Sequence, residues 1–154
     1  MGRYKIKEKQ INSERKRIFD IYNREDGVDA PETRKKIQVI MENFVGVIRR
    51  GEGLCRAIDE LERINRDETP YLTIKGEKNY RMLGKALESI NFIYVGKMIA
   101  KAALMRMESR GAHYREDLPD RDDENWLKNI IIRLDYDKIV LDTRPATLIN
   151  LILT

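Results

Sequence analysis

Cysteine and histidine are almost missing from this 154-residue chain, which holds one of each, Cys55 and His113. That scarcity excludes a disulfide framework, a zinc finger, a Cys-ligated iron–sulfur cluster and any multi-histidine metal site built within the chain. A reducing, cytoplasmic setting is expected. Long apolar runs are also absent: the most apolar stretch, Phe92 to Met107, is interrupted by Lys97, Lys101 and Arg106. The opening Met-Gly-Arg-Tyr-Lys-Ile-Lys has no apolar core of the kind a signal peptide carries, so neither secretion nor a membrane span is expected. No Gly-x-Gly-x-x-Gly follows a strand pattern, and the glycines at 46, 51 and 53 lack the Lys-Ser/Thr of a phosphate loop, so no nucleotide site is visible. Internal repeats, low-complexity tracts and Gly/Ser or Pro-rich linkers are missing too, which makes one domain the expectation for this length.

What the chain does contain is charge. Asp, Glu, Lys and Arg make up 36% of it against about 25% in a typical domain, yet 42% is hydrophobic and regularly spaced, which argues against disorder. The 30 basic and 26 acidic residues leave +4. That excess is local, because residues 1–24 hold eight bases and three acids and the remainder sums to −1. A nucleic-acid protein would show a wider basic face, so no nucleic-acid partner is expected.

Four helices are predicted from the period of the apolar residues. Lys7 to Arg24 carries Ile11, Ile18, Phe19 and Tyr22 on one side and ends at Asn23-Arg24-Glu25-Asp26-Gly27. Asp29-Ala30-Pro31-Glu32 is a start signal for a second helix striped by Ile37, Ile40, Met41, Phe44 and Ile48. A turn at Arg49-Arg50 leads to a third, with Leu54, Ala57, Ile58, Leu61 and Ile64. The fourth, over 77–109, keeps its spacing from Tyr80 to Met105 with Gly84, Ala86, Gly96, Ala100 and Ala102 narrowing it for close contact. Residues 114–124 hold six acids, two bases and a Pro without periodicity, which predicts a loop. Ile130-Ile131-Ile132 and Ile139-Val140-Leu141 flank a turn at Asp135-Tyr136-Asp137-Lys138, a hairpin over about 127–143, with Thr147 to Leu153 as a possible third strand. The expected fold is mostly α: an antiparallel three- to four-helix bundle in residues 1–110, then an acidic loop and small C-terminal β-hairpin in 111–154 packed on it as one structural unit.

Candidate chemistry is thin. Asp120, Asp122 and Glu124 alternate like calcium ligands, but that register puts Asn125 where the sharp turn needs Gly and Ile131 where the bidentate Glu belongs. Ser109, expected in the last helical turn, has nothing to place it for activation by His113, which argues against nucleophilic catalysis. Cys55 beside Leu54 reads as a buried small hydrophobe. No catalytic, cofactor-binding or metal-binding residue is therefore assigned. Two Arg, a Tyr and a His beside the Arg110-Gly111 turn suit a docking loop instead, where guanidinium forks pair carboxylates and Trp126 is an apolar anchor. The expected docking residues are Glu108, Arg110, His113, Tyr114, Arg115, Asp117, Asp122 and Trp126.

Met105 to Lys128, containing Ser109-Arg110-Gly111-Ala112-His113-Tyr114-Arg115-Glu116-Asp117-Leu118-Pro119 and Asp120-Arg121-Asp122-Asp123-Glu124-Asn125-Trp126, closely resembles a motif near the C-terminus of succinate dehydrogenase and fumarate reductase flavoprotein subunits. Met41-Glu42-Asn43-Phe44-Val45-Gly46-Val47-Ile48-Arg49-Arg50-Gly51-Glu52-Gly53-Leu54 is similar to an upstream segment of the same subunits, and the likeness runs from about residue 10 to about residue 144. L-aspartate oxidase is similar over the Ser-Arg-Gly-x-His core, while the Asp-Arg-Asp-Asp-Glu-Asn-Trp continuation favours the dehydrogenase branch.

The resemblance implies the helical C-terminal domain of an FAD-dependent flavoprotein whose parent reaction interconverts succinate and fumarate. The family's FAD-binding and capping domains, with their flavin-linking and substrate-binding residues, would precede it. On that reading the chain holds no cofactor of its own and is inactive alone. It docks the FAD-binding domain, has an iron–sulfur subunit as a further partner, and sits in a complex on the cytoplasmic face of a membrane. The competing expectations are the C-terminal domain of an L-aspartate oxidase-type enzyme and a free-standing helical adaptor or weak polyanion-binding module using the basic residues 1–24.

Overall fold

The computed structural model describes residues 7–76, 78–135 and 138–146. It contains the helical bundle and C-terminal hairpin that the periodicities predict. In chain order these are α1 (Glu8–Asn23), β1 (Val28–Asp29), α2 (Ala30–Val45), β2 (Ile48–Arg49) and α3 (Gly51–Asp67), then a 3-10 turn, β3 (Leu72–Thr73) and α4 (Tyr80–Met105). β4 (Tyr114–Arg115), α5 (Asp123–Trp126), β5 (Lys128–Asp135) and β6 (Lys138–Pro145) complete it. Among the described residues no helix is long and apolar enough to cross a membrane. The contacts divide the chain into one unit of residues 1–40 and 60–95 and another of 41–59 and 96–154.

In the first unit Ile21, Ala30, Leu72, Ile74 and Ala86 form a buried cluster flanked by Tyr22, Leu83, Leu87 and Ile90. The stripe read for α1 is corrected here: Ile21 buries, whereas Ile11 and Phe19 stay exposed. The inward face of α1 is set by β3 and the first turns of α4 meeting its last turn, which periodicity within α1 cannot foresee. β1 and β3 pair in parallel, Val28 opposite Leu72 and Asp29 opposite Thr73. Arg24 joins the end of α1 to β3 by donating from Nη1 to the Leu72 carbonyl (2.7 Å). Gly27 lets the chain pass, because a Cβ there would collide with the Tyr71 carbonyl oxygen. A buried polar knot sits beside the cluster, with Thr33 Oγ1 donating to Glu68 (2.9 Å) and Lys36 Nζ pairing with its other oxygen (3.0 Å).

In the second unit Val45, Leu54, Ala57, Ala100 and Ala103 are buried. β2 and β4 pair in parallel, Ile48 opposite Tyr114 and Arg49 opposite Arg115. The hairpin is antiparallel from Lys128↔Pro145 to Asp135↔Lys138. Its pleat puts Ile130, Ile132, Leu134, Ile139 and Leu141 on one face and Asn129, Arg133, Asp142 and Arg144 on the other.

Three boundaries differ from expectation. α4 ends at Met105 rather than 109, because side chains from the following loop take over its last carbonyls; the expected start at 77 falls outside the described residues. The stretch 114–124 is not wholly loop, since it supplies β4 and opens α5. The strands of the hairpin reach Pro145. The third strand at 147–153 lies outside the described residues. Cys55 is exposed rather than buried, standing next to Leu54 on the outer side of the first turns of α3.

Candidate functional site

The segment after α4 is built around a buried carboxylate. Glu108 is fully buried and meets four N–H groups: Arg106 Nη1 (2.6 Å), Arg110 Nε (2.8 Å), Arg110 Nη2 (3.0 Å) and the backbone N–H of Asp122 (2.8 Å). Arg110 foremost, with the Asp122 N–H and Arg106, brings its carboxyl down to about 2 against the opposing effect of burial. Arg110 also reaches Asp123 Oδ1 (2.6 Å), which Arg121 shares (2.8 Å). Arg106 extends its fork to the Trp126 and Lys128 carbonyls (3.2 and 2.7 Å) and lies 5.3 Å from the centre of the Trp126 ring. The acidic loop is thereby folded back by arginines onto the start of β5.

Arg115 and Asp117 join two helix ends. Arg115 is 4% exposed and pairs bidentately with Asp117, Nε to Oδ1 and Nη2 to Oδ2, both at 2.7 Å. Its Nη1 faces the carbonyls of Ala103, Leu104 and Arg106 at 3.3–3.4 Å, a cation on the negative end of α4. Asp117 accepts from the Gly51 N–H (3.0 Å), an anion on the positive end of α3. Arg115 holds the Asp117 carboxyl below the usual carboxylate range, and the Gly51 N–H adds to it. Ser109 locks the loop's interior: its Oγ donates to the Leu118 carbonyl (2.8 Å) and accepts from the Arg115 N–H (2.8 Å), while its own N–H donates to the Asp120 carbonyl (3.0 Å). The expectation that Ser109 ends the helix is corrected: it lies four residues beyond α4 and serves as a loop clamp.

Beside this network Arg49 donates from Nε to the Gly46 carbonyl (2.7 Å) and from Nη1 to His113 Nδ1 (2.9 Å). An imidazole that accepts at Nδ1 is neutral and carries its proton on Nε2. That Nε2 is buried and meets no acceptor at hydrogen-bonding geometry. Burial first and the Arg49 cation second push the His113 pKa below its ordinary value, with the Arg106 backbone carbonyl opposing them. Both groups border a shallow cavity of about 320 Å³ whose other walls include Ile99, Ala102, Ile130 and Ile132.

Seven of the eight residues expected at a docking surface thus take part in side-chain contacts inside the domain. Glu108 and Arg115 are buried; Arg110, His113 and Trp126 are half-buried; Asp117 is bound to Arg115 and Gly51. Asp122 caps α5 by accepting from the Asn125 N–H (2.9 Å), and Tyr114 is exposed on β4. Among the described residues no three His, Cys, Asp or Glu side chains gather as a metal site. Arg49 and Gly51 were absent from the expected set. The signal was present in the resemblance, whose two stretches, 41–54 and 105–128, are the ones that β2–β4 and Gly51–Asp117 join.

The family description "Fumarate reductase flavoprotein C-term" matches residues 34–152. The chain belongs to this family. The L-aspartate oxidase of Streptomyces coelicolor is 35% identical over 108 residues, covering 70% of this chain and 18% of its own length. The succinate dehydrogenase flavoprotein subunit of Rickettsia conorii is 33% identical over 151 residues, 95% of this chain and 25% of its own. A solved structure titled Mycobacterium smegmatis Sdh1 in complex with UQ1 superposes with a TM-score of 0.85 at 24% identity, over 96% of this chain and 25% of that one, a likeness of fold. The chain therefore spans a quarter or less of the length of these relatives. As a flavoprotein C-terminal domain it uses its charged motif on its own helix ends, and among the described residues no base contacts Ser109.

Proposed function

We propose that this flavoprotein C-terminal domain supports and docks an FAD-binding domain of succinate dehydrogenase/fumarate reductase type and is inactive by itself. The observation that carries the reading is the double cap of Arg115 and Asp117, which fixes the motif loop against α3 and α4 and holds Tyr114 outward on a rigid strand. Such a loop has the make-up of an interface: an exposed aromatic and an acidic rim around Trp126, braced from within by arginine forks. FAD and the substrate-binding groups belong to the partner domain, an iron–sulfur subunit receives the electrons, and the assembly works in the cytoplasm at the membrane face. An L-aspartate oxidase parent is the second reading, favoured by the 35% identity to the Streptomyces coelicolor enzyme.

The experiment is retrieval of the tagged chain from its native cells, with the visible absorption of flavin followed through size exclusion. Co-elution of a flavin-bearing polypeptide is expected, and Tyr114→Ser should weaken retention about tenfold, as for an exposed interface tyrosine, with the melting temperature unchanged. Dye reduction by the assembly with succinate, but not L-aspartate, selects the first parent over the second. A chain that elutes free of flavin at low salt sinks the docking reading.

A further inference from the structure

The cavity at Arg49 and His113 differs from the charged motif beside it. Arg50, Arg106, Arg110, Arg115 and Arg121 each pair with a carboxylate. Among the described residues none pairs with Arg49, which is half-buried and spends its bonds on two backbone carbonyls and a neutral imidazole. Burial lowers the Arg49 pKa, as expected for a cation without a counter-charge. The imidazole passes the deficit on: with Nδ1 accepting, the buried Nε2 proton has only the Arg106 carbonyl near it, and not at hydrogen-bonding geometry. Leaving such a group poorly matched is unfavourable, so one cation and one N–H are both short of the same kind of partner.

The geometry points to a binding site for a carboxylate at this cavity, with the oxygens taken by Arg49 and His113 Nε2–H and the attached chain lying on Ile99, Ala102, Ile130 and Ile132. The charge count selects a monoanion. Arg106 also borders the space, but its fork is committed to Glu108 and the Trp126 and Lys128 carbonyls, so a single unmatched positive charge faces the opening. A phosphate dianion would exceed that charge and bring more oxygens than there are donors. A volume of about 320 Å³ with mostly aliphatic walls suits a short alkyl carboxylate. The carboxylate comes either from a small molecule or from an Asp or Glu side chain of the docked flavoprotein domain, and the second source rests on the docking reading above.

His113 is the chain's single histidine, so its imidazole signals in NMR report on this site alone. The first arm titrates the 154-residue chain with sodium butanoate, with sodium chloride at matched ionic strength as the control. Saturable movement of the His113 signals is expected, absent with chloride and weakened about tenfold or more in Arg49→Gln, the scale of one charge-assisted bond. If Arg49→Gln does not fold, Ile132→Glu is read instead. A carboxylate supplied from the cavity wall should raise the His113 pKa and abolish butanoate binding.

The second arm compares retention of the flavin-bearing partner by wild type and Arg49→Gln. Butanoate binding that depends on Arg49 establishes a site open to free carboxylates. Silence with butanoate, together with a tenfold or greater loss of partner retention in Arg49→Gln, assigns the carboxylate to the partner's side chain. If neither arm responds to loss of Arg49, the inference is overturned. Should the wild type retain no flavoprotein while butanoate binds, docking fails and the carboxylate site stands.

Discussion

Glu108 concentrates the energetics of the motif in one side chain, since four N–H donors from three residues converge on a carboxylate with no solvent exposure. Glu108→Gln keeps the shape but removes the charge and turns an NH2 group toward donors. Urea unfolding should show a loss of about 3 kcal/mol, the scale for breaking a buried ion pair from one side; a loss near zero would mean the arginines relax into water at no cost. Gly51 offers a steric test of the double cap. A Cβ at this position would lie 2.9 Å from Arg115 Nη2 and 3.0 Å from Asp117 Oδ2. Gly51→Ala, ordinarily favourable for a helix, is therefore expected to destabilise by about 1–3 kcal/mol, read as a lowered melting temperature. At this scale the sequence was legible where one residue decides the matter, as for Leu54, Ala57, Leu61 and Ile64, all expected inside α3 and all fully buried. It was opaque for Cys55 and Ile21, whose burial depends on which neighbouring element covers that side of the helix.

Among the elements, the helices declared themselves because a 3.6-residue stripe is local information, whereas α4 stops at Met105 without Gly or Pro at its end. The stop is made from a distance by Arg115, ten residues further along. Its guanidinium supplies donors to the carbonyls of Ala103, Leu104 and Arg106 that the helix itself leaves unmet. The same non-local character hid β2 and β4, each two residues long and paired in parallel across an intervening helix-and-loop stretch. Lysine cannot serve Asp117 with two parallel bonds and the helix carbonyls at once. Arg115→Lys should therefore fray the last turn of α4, and amide exchange at 103–106 should quicken by about tenfold or more while exchange in the middle of α4 holds. Unchanged exchange at those amides would show that the turn is held by its own backbone.

For the whole molecule, acid stability gathers the separate charges into one curve. Below its ordinary value of 6.5, an unfolded histidine takes up a proton that His113 in the folded chain resists, since its pKa is lowered by burial and by Arg49. The unfolded state then binds more protons, so stability falls as pH drops through that range. A second and larger loss belongs to the carboxylates. Glu108 moves from 4.5 to about 2 on folding, and Asp117 and Asp123 move in the same direction under Arg115 and under Arg121 with Arg110. Their stabilisation is complete above about pH 5 and disappears as pH falls toward 2. The urea midpoint plotted against pH should therefore be flat from about pH 8 to 7, shallow in its decline to about pH 5, and steep below. His113→Gln should remove the shallow segment and leave the steep one; Glu108→Gln should reduce the steep segment and leave the shallow one. A curve that is flat down to pH 3 would mean that these ion pairs open in solution, and with them the rigid loop on which the docking reading depends.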